Sequence, residues 1–258
     1  MNIPYQNMEI EQIYTQLLCT PKTSLAICSA EQGEGVTSLA FALAQRCLLA
    51  GHSTLLVDLN LFRPAIEGVL AFNTKPSQQK SQLANTKQLN KQLSKQQAND
   101  QHLLTQPQLV FNRHSAVVVS GVIAPTQREH IMRLRQPGIL EQCIEQWLQD
   151  YDTVIIDSSP LNRVNAQNIP AERVAAACNG ALLTVLAGKT SETSVNAAVT
   201  KLQNANAQLL GSVFNDRDNP SLKNELLREI KRFPRFLSWL SRRLNKMVNR
   251  SRFLTFDI

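Results

Sequence analysis

Short apolar runs alternate with stretches of helical spacing along most of this chain. The first apolar run covers Ser24 to Cys28, and a second covers Leu55 to Val57. Between them, apolar residues recur every three or four positions from Leu39 to Leu48, which is the period of one helix face. The alternation continues to Phe214 and predicts an α/β fold with a mostly parallel, doubly wound sheet.

A glycine-rich turn, Gly33 to Gly35, joins the first apolar run to the predicted helix. Glycine lets the backbone turn tightly with its N–H groups pointing inward, and such a turn can cradle an anion. The helix is expected to start near Thr37, where the dipole of its N-terminus also favours phosphate. The segment therefore predicts a phosphate-binding loop.

Two aspartates close apolar runs of this predicted sheet. Asp58 follows Leu55 to Val57, and Asp157 follows Thr153 to Ile156. Open α/β sheets bind ligands at the carboxyl ends of their strands. A carboxylate at such a place can hold Mg²⁺ beside a nucleotide's phosphates, directly or through water.

Three segments resemble, in order, the deviant Walker A, Walker A′ and Walker B motifs of MinD/ParA-type P-loop ATPases. They are QGEGVTS at residues 32–38, LLVDLNLFRP at 55–64 and YDTVIIDSSP at 151–160. The nearest resemblance is to the cytoplasmic ATPase domains of bacterial tyrosine kinases and polysaccharide co-polymerases, which work in capsule and exopolysaccharide export. It covers residues 8–216 and implies a P-loop NTPase fold.

The resemblance also implies a ligand, ATP or ADP with Mg²⁺, and a set of residues that bind it. Thr37 and Asp157 would serve Mg²⁺, and Asp58 would lie near the γ-phosphate as the candidate catalytic residue. Asn215 would meet the adenine edge. The residues expected to contact the nucleotide are Gly33, Glu34, Gly35, Val36, Thr37, Ser38, Arg63 and Asn215.

The motifs depart from the family pattern at three positions. Val36 stands where the loop lysine belongs, and it can offer the phosphates neither charge nor a hydrogen bond. In the second motif Asn60 replaces an acid and Phe62 replaces an arginine. We therefore expect weak or absent ATPase activity, with binding still open.

Two other interpretations remain open at this stage. Another cation, with Arg63 and Lys189 as candidates, could replace the lysine and give a working ATPase. Alternatively, the loop could be an empty remnant of the fold in which Asp58 and Asp157 merely close their strands.

The tyrosines argue against autokinase activity of the kind that the resembled kinases show. Those enzymes phosphorylate a tyrosine cluster at the C-terminus, whereas Tyr5, Tyr14 and Tyr151 are the only tyrosines here. Their N-terminal oligomerisation pattern, a Glu followed by arginines at three-residue intervals, reads Glu11, Tyr14 and Leu17 in this chain. Ring assembly through that pattern is therefore not expected, and a homodimer remains open.

A Gln/Lys-rich segment of low complexity covers residues 74–108. It holds ten Gln, three Asn and five Lys, so it cannot bury enough apolar surface to fold alone. We expect an insertion before the next strand, Ala116 to Val119, that is either an idle polar loop or an arm for a partner.

The last forty residues, 219–258, contain the basic excess of the chain. They hold ten Lys/Arg against three Asp/Glu, a net charge of +7 that equals that of the whole protein. Apolar residues from Leu226 to Met247 recur at helical spacing, which predicts basic amphipathic helices. Such helices suit an anionic membrane surface or a partner's groove, or they pack on the domain itself. The aromatic, apolar stripe is less suited to nucleic acid.

These features predict a nucleotide-binding domain over residues 1–218 and a helical tail over 219–258. Cysteines and histidines show no metal-ligand spacing, and neither a secretory signal nor an apolar run of membrane-spanning length is present in the sequence. We expect a cytoplasmic protein, peripheral at the inner face of the cytoplasmic membrane, whose partner is an inner-membrane component of polysaccharide export or chain-length control. The remaining alternative is a partition-type ATPase that uses its basic tail on DNA.

Overall fold

The structure is a computed structural model that describes residues 5–64, 107–111, 118–163, 165, 167–217, 230, 243–244 and 246–248. Its strands are β1 (Thr23–Ser29), β2 (Thr54–Leu59), β3 (Gln108–Phe111), β4 (Val118–Val122), β5 (Thr153–Ser158), β6 (Gly180–Leu186) and β7 (Leu209–Asn215). Its helices are α1 (Met8–Ile13), α2 (Val36–Leu49), α3 (Arg128–Leu134), α4 (Ile139–Asp150), α5 (Ala171–Ala177) and α6 (Glu192–Asn204), and a π-helical segment, Tyr14–Leu18, follows α1.

Within the described residues the strands form one seven-stranded sheet in the order β3-β4-β2-β5-β1-β6-β7. The pairs β1–β5, β1–β6, β2–β4 and β2–β5 are parallel, and β3 runs antiparallel to β4 at one edge. This architecture confirms the predicted mostly parallel α/β sheet. Because β5 lies between β1 and β2, the carboxyl ends of these three strands meet beside the glycine loop.

Helices cover both faces of the sheet, as the two apolar clusters show. In β1, Leu25 and Ile27 belong to the cluster that includes α2 residues such as Leu39. Ala26 and Cys28 belong to the other cluster, which includes residues of α4, α5 and α6. Successive strand residues point to opposite faces, so a strand buried on both sides reads as a continuous apolar run.

Two predicted segments begin or end differently in the structure. The strand predicted from Ala116 to Val119 is β4, Val118–Val122, and residues 116 and 117 lie outside the described residues. The Gln-rich insertion was expected to reach residue 108, but Gln108 already belongs to β3. Residues 74–106 of that insertion also lie outside the described residues.

The chain divides into two units. The first comprises residues 1–185 and 190–215, and the second comprises 186–189 and 216–258. In the described part of the tail, Ile230 and Val248 are buried, whereas Met247 is 66% exposed. Among the described residues, no helix has both the length and the apolar character needed to cross a membrane.

Candidate nucleotide-binding site

The loop between β1 and α2 owes its shape to two glycines with left-handed backbone. Gly33 has φ of 85° and Gly35 has φ of 98°, a region that residues with a side chain rarely adopt. Gly35 also lies close to Asn215 at the end of β7, because a Cβ at Gly35 would be 2.3 Å from the Nδ2 atom of that asparagine. The loop therefore requires glycine at position 35 for both conformation and space.

Glu34 stabilises this loop from within. Its carboxylate accepts a 2.9 Å hydrogen bond from the backbone N–H of Ala30 and another from the hydroxyl of Thr190. Its backbone oxygen accepts a 2.9 Å hydrogen bond from Nδ2 of Asn215. The residue is buried, and burial raises the pKa of its carboxyl above the ordinary value. These bonds join the start of the loop to Glu34, and they join Glu34 to β7 and to the segment after β6.

Val36 is the first residue of α2 and packs in the apolar cluster under that helix. Its side chain is 6% exposed, in the same cluster as Leu39 and Leu43. The position that resembles the lysine of the family motif is thus part of the core. The loop consequently has no cation of its own at this place.

Asp58 and Asp157 lie side by side on β2 and β5, where they are partners in the strand register. Both are buried, and the hydroxyl of Thr37 donates a 2.5 Å hydrogen bond to Oδ2 of Asp157. Asp58 accepts a 2.9 Å hydrogen bond from the backbone N–H of Asn60. Burial, together with the charge of Asp58, raises the pKa of Asp157 to about 8 despite the bond from Thr37. The sequence-predicted metal pair, Thr37 and Asp157, is therefore brought together.

The oxygen atoms at this place fit Mg²⁺. Oδ1 of Asp157 is buried and has no hydrogen-bond partner among the described residues, which is a costly state that a bound cation would relieve. Mg²⁺ prefers carboxylate and hydroxyl oxygens and typically keeps several ligands as water or phosphate. Since the described residues contain no cluster of three or more His, Cys, Asp or Glu side chains, this site would be of that sparse type.

The other residues predicted for the nucleotide lie around the same end of the sheet. Ser38 is half-buried in the first turn of α2, and Asn215 bonds the loop as described above. Arg63 is exposed after β2, where its backbone N–H contacts the backbone and side-chain oxygens of Asn60, each at 3.3 Å. Lys189, the other proposed cation, lies in the turn after β6 and belongs to the second unit.

Sequence reasoning missed the segment that follows β5. The backbone N–H of Leu161 donates to the oxygen of Ser29 at 2.8 Å, and that of Asn162 donates to Ala30 at 3.1 Å. Arg163 continues the series, because its Nη1 donates to the side-chain oxygen of Gln32 at 3.0 Å. The only sequence signal was the run of polar residues after Asp157, which does not say what they contact.

The N-terminal pattern that begins at Glu11 is engaged within the chain. The carboxylate of Glu11 pairs with the guanidinium of Arg46 on α2, with a contact of 2.7 Å from Nη2. The same guanidinium lies 4.1 Å from the centre of the Tyr14 ring, a cation–π contact. The pair lowers the pKa of the Glu11 carboxyl through its hydrogen bond with Arg46. These contacts hold the N-terminal segment on α2.

A mostly parallel sheet, a glycine loop between its first strand and a helix, and an aspartate closing the neighbouring strand together define a P-loop NTPase fold of the MinD/ParA-like type. Known proteins of similar sequence are bacterial tyrosine kinases. The chain is 25% identical over 194 residues to the tyrosine-protein kinase CpsD of Streptococcus pneumoniae, covering 75% of this chain and 76% of that protein. It is 26% identical over 194 residues to the tyrosine-protein kinase YwqD of Bacillus subtilis, covering 75% and 72%.

Solved structures show the same fold. The kinase domain of Escherichia coli tyrosine kinase ETK superposes with a TM-score of 0.57 at 18% identity, over 85% of this chain and 83% of that one. Cobyrinic acid a,c-diamide synthase from Mycobacterium smegmatis, solved with bound ADP and magnesium, superposes with a TM-score of 0.52 at 14% identity, over 82% of each chain. No family model matches the chain. The homologues confirm the resemblance that the three motifs carry.

Proposed function

We propose that this protein binds ATP or ADP with Mg²⁺ and has little or no ATPase activity. The observation that carries the proposal is the contrast between Val36, which is buried in the core, and the adjacent Thr37, whose hydroxyl reaches Asp157. The parts that bind a nucleotide are present, whereas the lysine that neutralises its phosphates is replaced. The Mycobacterium smegmatis synthase, which has the same fold, was solved with bound ADP and magnesium.

In this proposal each residue has a separate task. The backbone N–H groups from Gly33 to Ser38 hold the phosphates, and Asn215 meets the adenine edge. Thr37 and Asp157 hold Mg²⁺, which supplies charge neutralisation at the phosphates when it is bound. Arg63 lies at the edge of the site, and Asp58 remains as the candidate catalytic residue near the γ-phosphate.

Titration with a fluorescent ATP analogue, with and without Mg²⁺, tests the binding. We expect saturable binding that Mg²⁺ strengthens, and ATP hydrolysis no faster than the background. Thr37→Val should remove most of the Mg²⁺ effect. Thr200→Val is the matched control, since the Thr200 hydroxyl bonds the backbone oxygen of Asn196 on the exposed face of α6. Absence of saturable binding by the wild-type chain would contradict the proposal.

The cellular role that fits best is that of an accessory protein in capsule or exopolysaccharide synthesis or export. Support comes from the motifs and from homologues that are bacterial tyrosine kinases. The partner would be an inner-membrane component of polysaccharide export or chain-length control, met at the inner face of the cytoplasmic membrane. The basic tail, residues 219–258, would assist there, and tyrosine autokinase activity is not part of this role.

Genetic context and loss of function test this role. Genes for glycosyltransferases and a chain-length regulator beside this one, with a changed amount or length of polysaccharide on deletion, are expected. Genes for centromere-binding proteins and a plasmid-loss phenotype would instead favour the partition alternative. A strain carrying Gly35→Val then shows whether nucleotide binding matters to the role.

A further inference from the structure

A ladder of hydrogen bonds ties the segment after β5 to the phosphate loop. Leu161 bonds Ser29, Asn162 bonds Ala30, and Arg163 bonds Gln32. Three consecutive residues after β5 therefore lie alongside the end of β1 and the start of the loop. The first two bonds join backbone atoms, at 2.8 and 3.1 Å. The backbone before Arg163 is therefore fixed beside the loop, and the bond to Gln32 places its guanidinium there.

The same segment is also tied to α6. Nδ2 of Asn162 donates to the backbone oxygen of Ser194 at 2.9 Å, and the Nζ atom of Lys201 donates to the backbone oxygen of Leu161 at 2.6 Å. Glu31, which precedes Gln32 in the loop, accepts a 3.1 Å bond from the Ser194 hydroxyl and a 3.5 Å bond from Asn162. The carboxylate of Glu31 is thus held by neutral donors.

The acceptor of the Arg163 guanidinium is a neutral amide oxygen of the loop, that of the Gln32 side chain. A guanidinium has five N–H donors arranged in a fork that matches phosphate, and Gln32 accepts one of them. A bond to a phosphate oxygen is charge-assisted and roughly twice as strong as one to a neutral acceptor. Exchange of the amide for a phosphate is therefore favourable, and both partners are exposed enough to move.

We propose that Arg163 supplies the positive charge to the nucleotide phosphates that Val36 cannot supply. This inference rests on the nucleotide binding proposed above. The observation that favours Arg163 as this cation is the direct bond from its guanidinium to Gln32 of the loop. Arg163 lies in the segment after β5, whereas the lysine of the family motif corresponds to position 36, where α2 begins.

Affinity for a fluorescent ATP analogue, measured with Mg²⁺ present, tests this role. Arg163→Gln should weaken binding about tenfold, the lower end of what a charge-assisted contact contributes at an exposed place. Arg173→Gln is the matched control, because Arg173 pairs with Glu141 on helices α5 and α4 and should leave affinity unchanged. A fluorescent adenosine probe without phosphates should bind wild type and Arg163→Gln equally.

A double-mutant cycle with Val36→Lys separates replacement of the lysine from a general structural effect. If Arg163 replaces the lysine, Arg163→Gln should reduce affinity for the ATP analogue clearly less in the Val36→Lys background than in wild type. Arg163→Met, which keeps the aliphatic stem, repeats the test if the Gln variant does not fold.

Three results would overturn the inference while leaving nucleotide binding intact: unchanged affinity in the neutral variants, an equal loss in both backgrounds, or an equal loss with the adenosine probe. No saturable binding of the ATP analogue by the wild-type chain would overturn the inference and the proposed function together.

Discussion

The hydroxyl of Thr37, in the first turn of α2, donates a 2.5 Å hydrogen bond to Oδ2 of Asp157, the residue that would close an Mg²⁺ site at the end of β5. The second oxygen of that carboxylate is buried without a partner among the described residues. Without a bound cation, burial and the neighbouring Asp58 therefore oppose ionisation of the Asp157 carboxyl.

The first prediction concerns the stability of the ligand-free protein. The pKa of Asp157 is raised from 3.8 to about 8, by burial first and by Asp58 second, so the native state holds its proton more tightly than the unfolded state does. The free energy of unfolding should fall as pH rises from about 4 to about 8. Asp157→Asn should therefore be more stable than wild type at pH 8 by several kcal/mol, with the difference shrinking toward pH 4.

Urea denaturation at several pH values between 4 and 8 measures this difference. Asp150→Asn, at the exposed end of α4, controls for the loss of one negative charge and should show no comparable trend. A difference between Asp157→Asn and wild type that does not change with pH would contradict the raised pKa.

The second prediction concerns Gly35→Ala. The new Cβ would lie 2.3 Å from Nδ2 of Asn215, and φ of 98° is strained for alanine, so the loop must shift. We expect at least a tenfold loss of nucleotide affinity and about 1 to 2 kcal/mol of stability. Gly51→Ala is the matched control, since Gly51 has φ of 89° but no atom within 4 Å of its added Cβ.

Adding Asn215→Ala to Gly35→Ala removes the side chain that the new Cβ would meet. The double variant should regain part of the lost stability, which thermal unfolding measures. No recovery would mean that backbone strain, rather than contact with Asn215, causes the whole loss. The larger substitution Gly35→Val should abolish nucleotide binding.

The third prediction restores the missing lysine. Val36→Lys should raise nucleotide affinity, but by less than the contribution of a new charge-assisted contact, about 1.5 to 3 kcal/mol, because the proposed contact from Arg163 already supplies part of the charge. The full gain is expected only in the Arg163→Gln background. Val36→Lys should also lower stability, since Val36 is 6% exposed in the apolar cluster and its removal leaves that cluster less well packed. Val36→Met, which is long but uncharged, should lower stability little and leave affinity unchanged. Equal affinities of wild type and the lysine variant would mean that Arg163 or another cation replaces the lysine completely.

Much of the fold follows from the pattern of apolar residues, for a physical reason. Strands β1, β2 and β5 are buried on both faces, so their sequences are continuous apolar runs that are easy to recognise. Strand β3 is not predicted from the sequence because it has only four residues and lies at the end of a Gln-rich segment. So short an apolar run does not distinguish a strand from a loop. Edge strands bury less surface and carry a weaker pattern.

The candidate site was predicted in part. Asp58 and Asp157 could be placed at strand ends, but their side-by-side register depends on β5 lying between β1 and β2, which local sequence does not determine. The contacts of Glu34 with Thr190 and of Arg163 with Gln32 join segments far apart in the chain. Such pairs are decided by the packing of loops, and single-residue properties do not reveal them.

The charge and spacing of the tail, residues 219–258, predict reversible association with anionic bilayers. Arg243 and Lys246 are exposed in the described part of the tail, and so is Met247 of the apolar stripe, whereas Ile230 of that stripe is buried. Part of the stripe is therefore accessible to lipid. Basic residues near an anionic surface contribute about 1 kcal/mol each, and buried apolar side chains add to this.

The last prediction uses the full chain with Arg243→Gln and Lys246→Gln combined. Its binding to phosphatidylserine-containing vesicles should be roughly thirtyfold weaker than that of wild type, as the loss of two such charges implies. Lys87→Gln with Lys91→Gln removes the same charge from the Gln-rich insertion and should have little effect. Binding of wild type should also weaken as salt is raised, because the charges are screened over about 8 Å at physiological ionic strength. Co-sedimentation with vesicles measures the binding of wild type and of both double variants. If the two double variants pellet equally, or if wild type does not pellet, the apolar stripe serves internal packing or binds a protein partner.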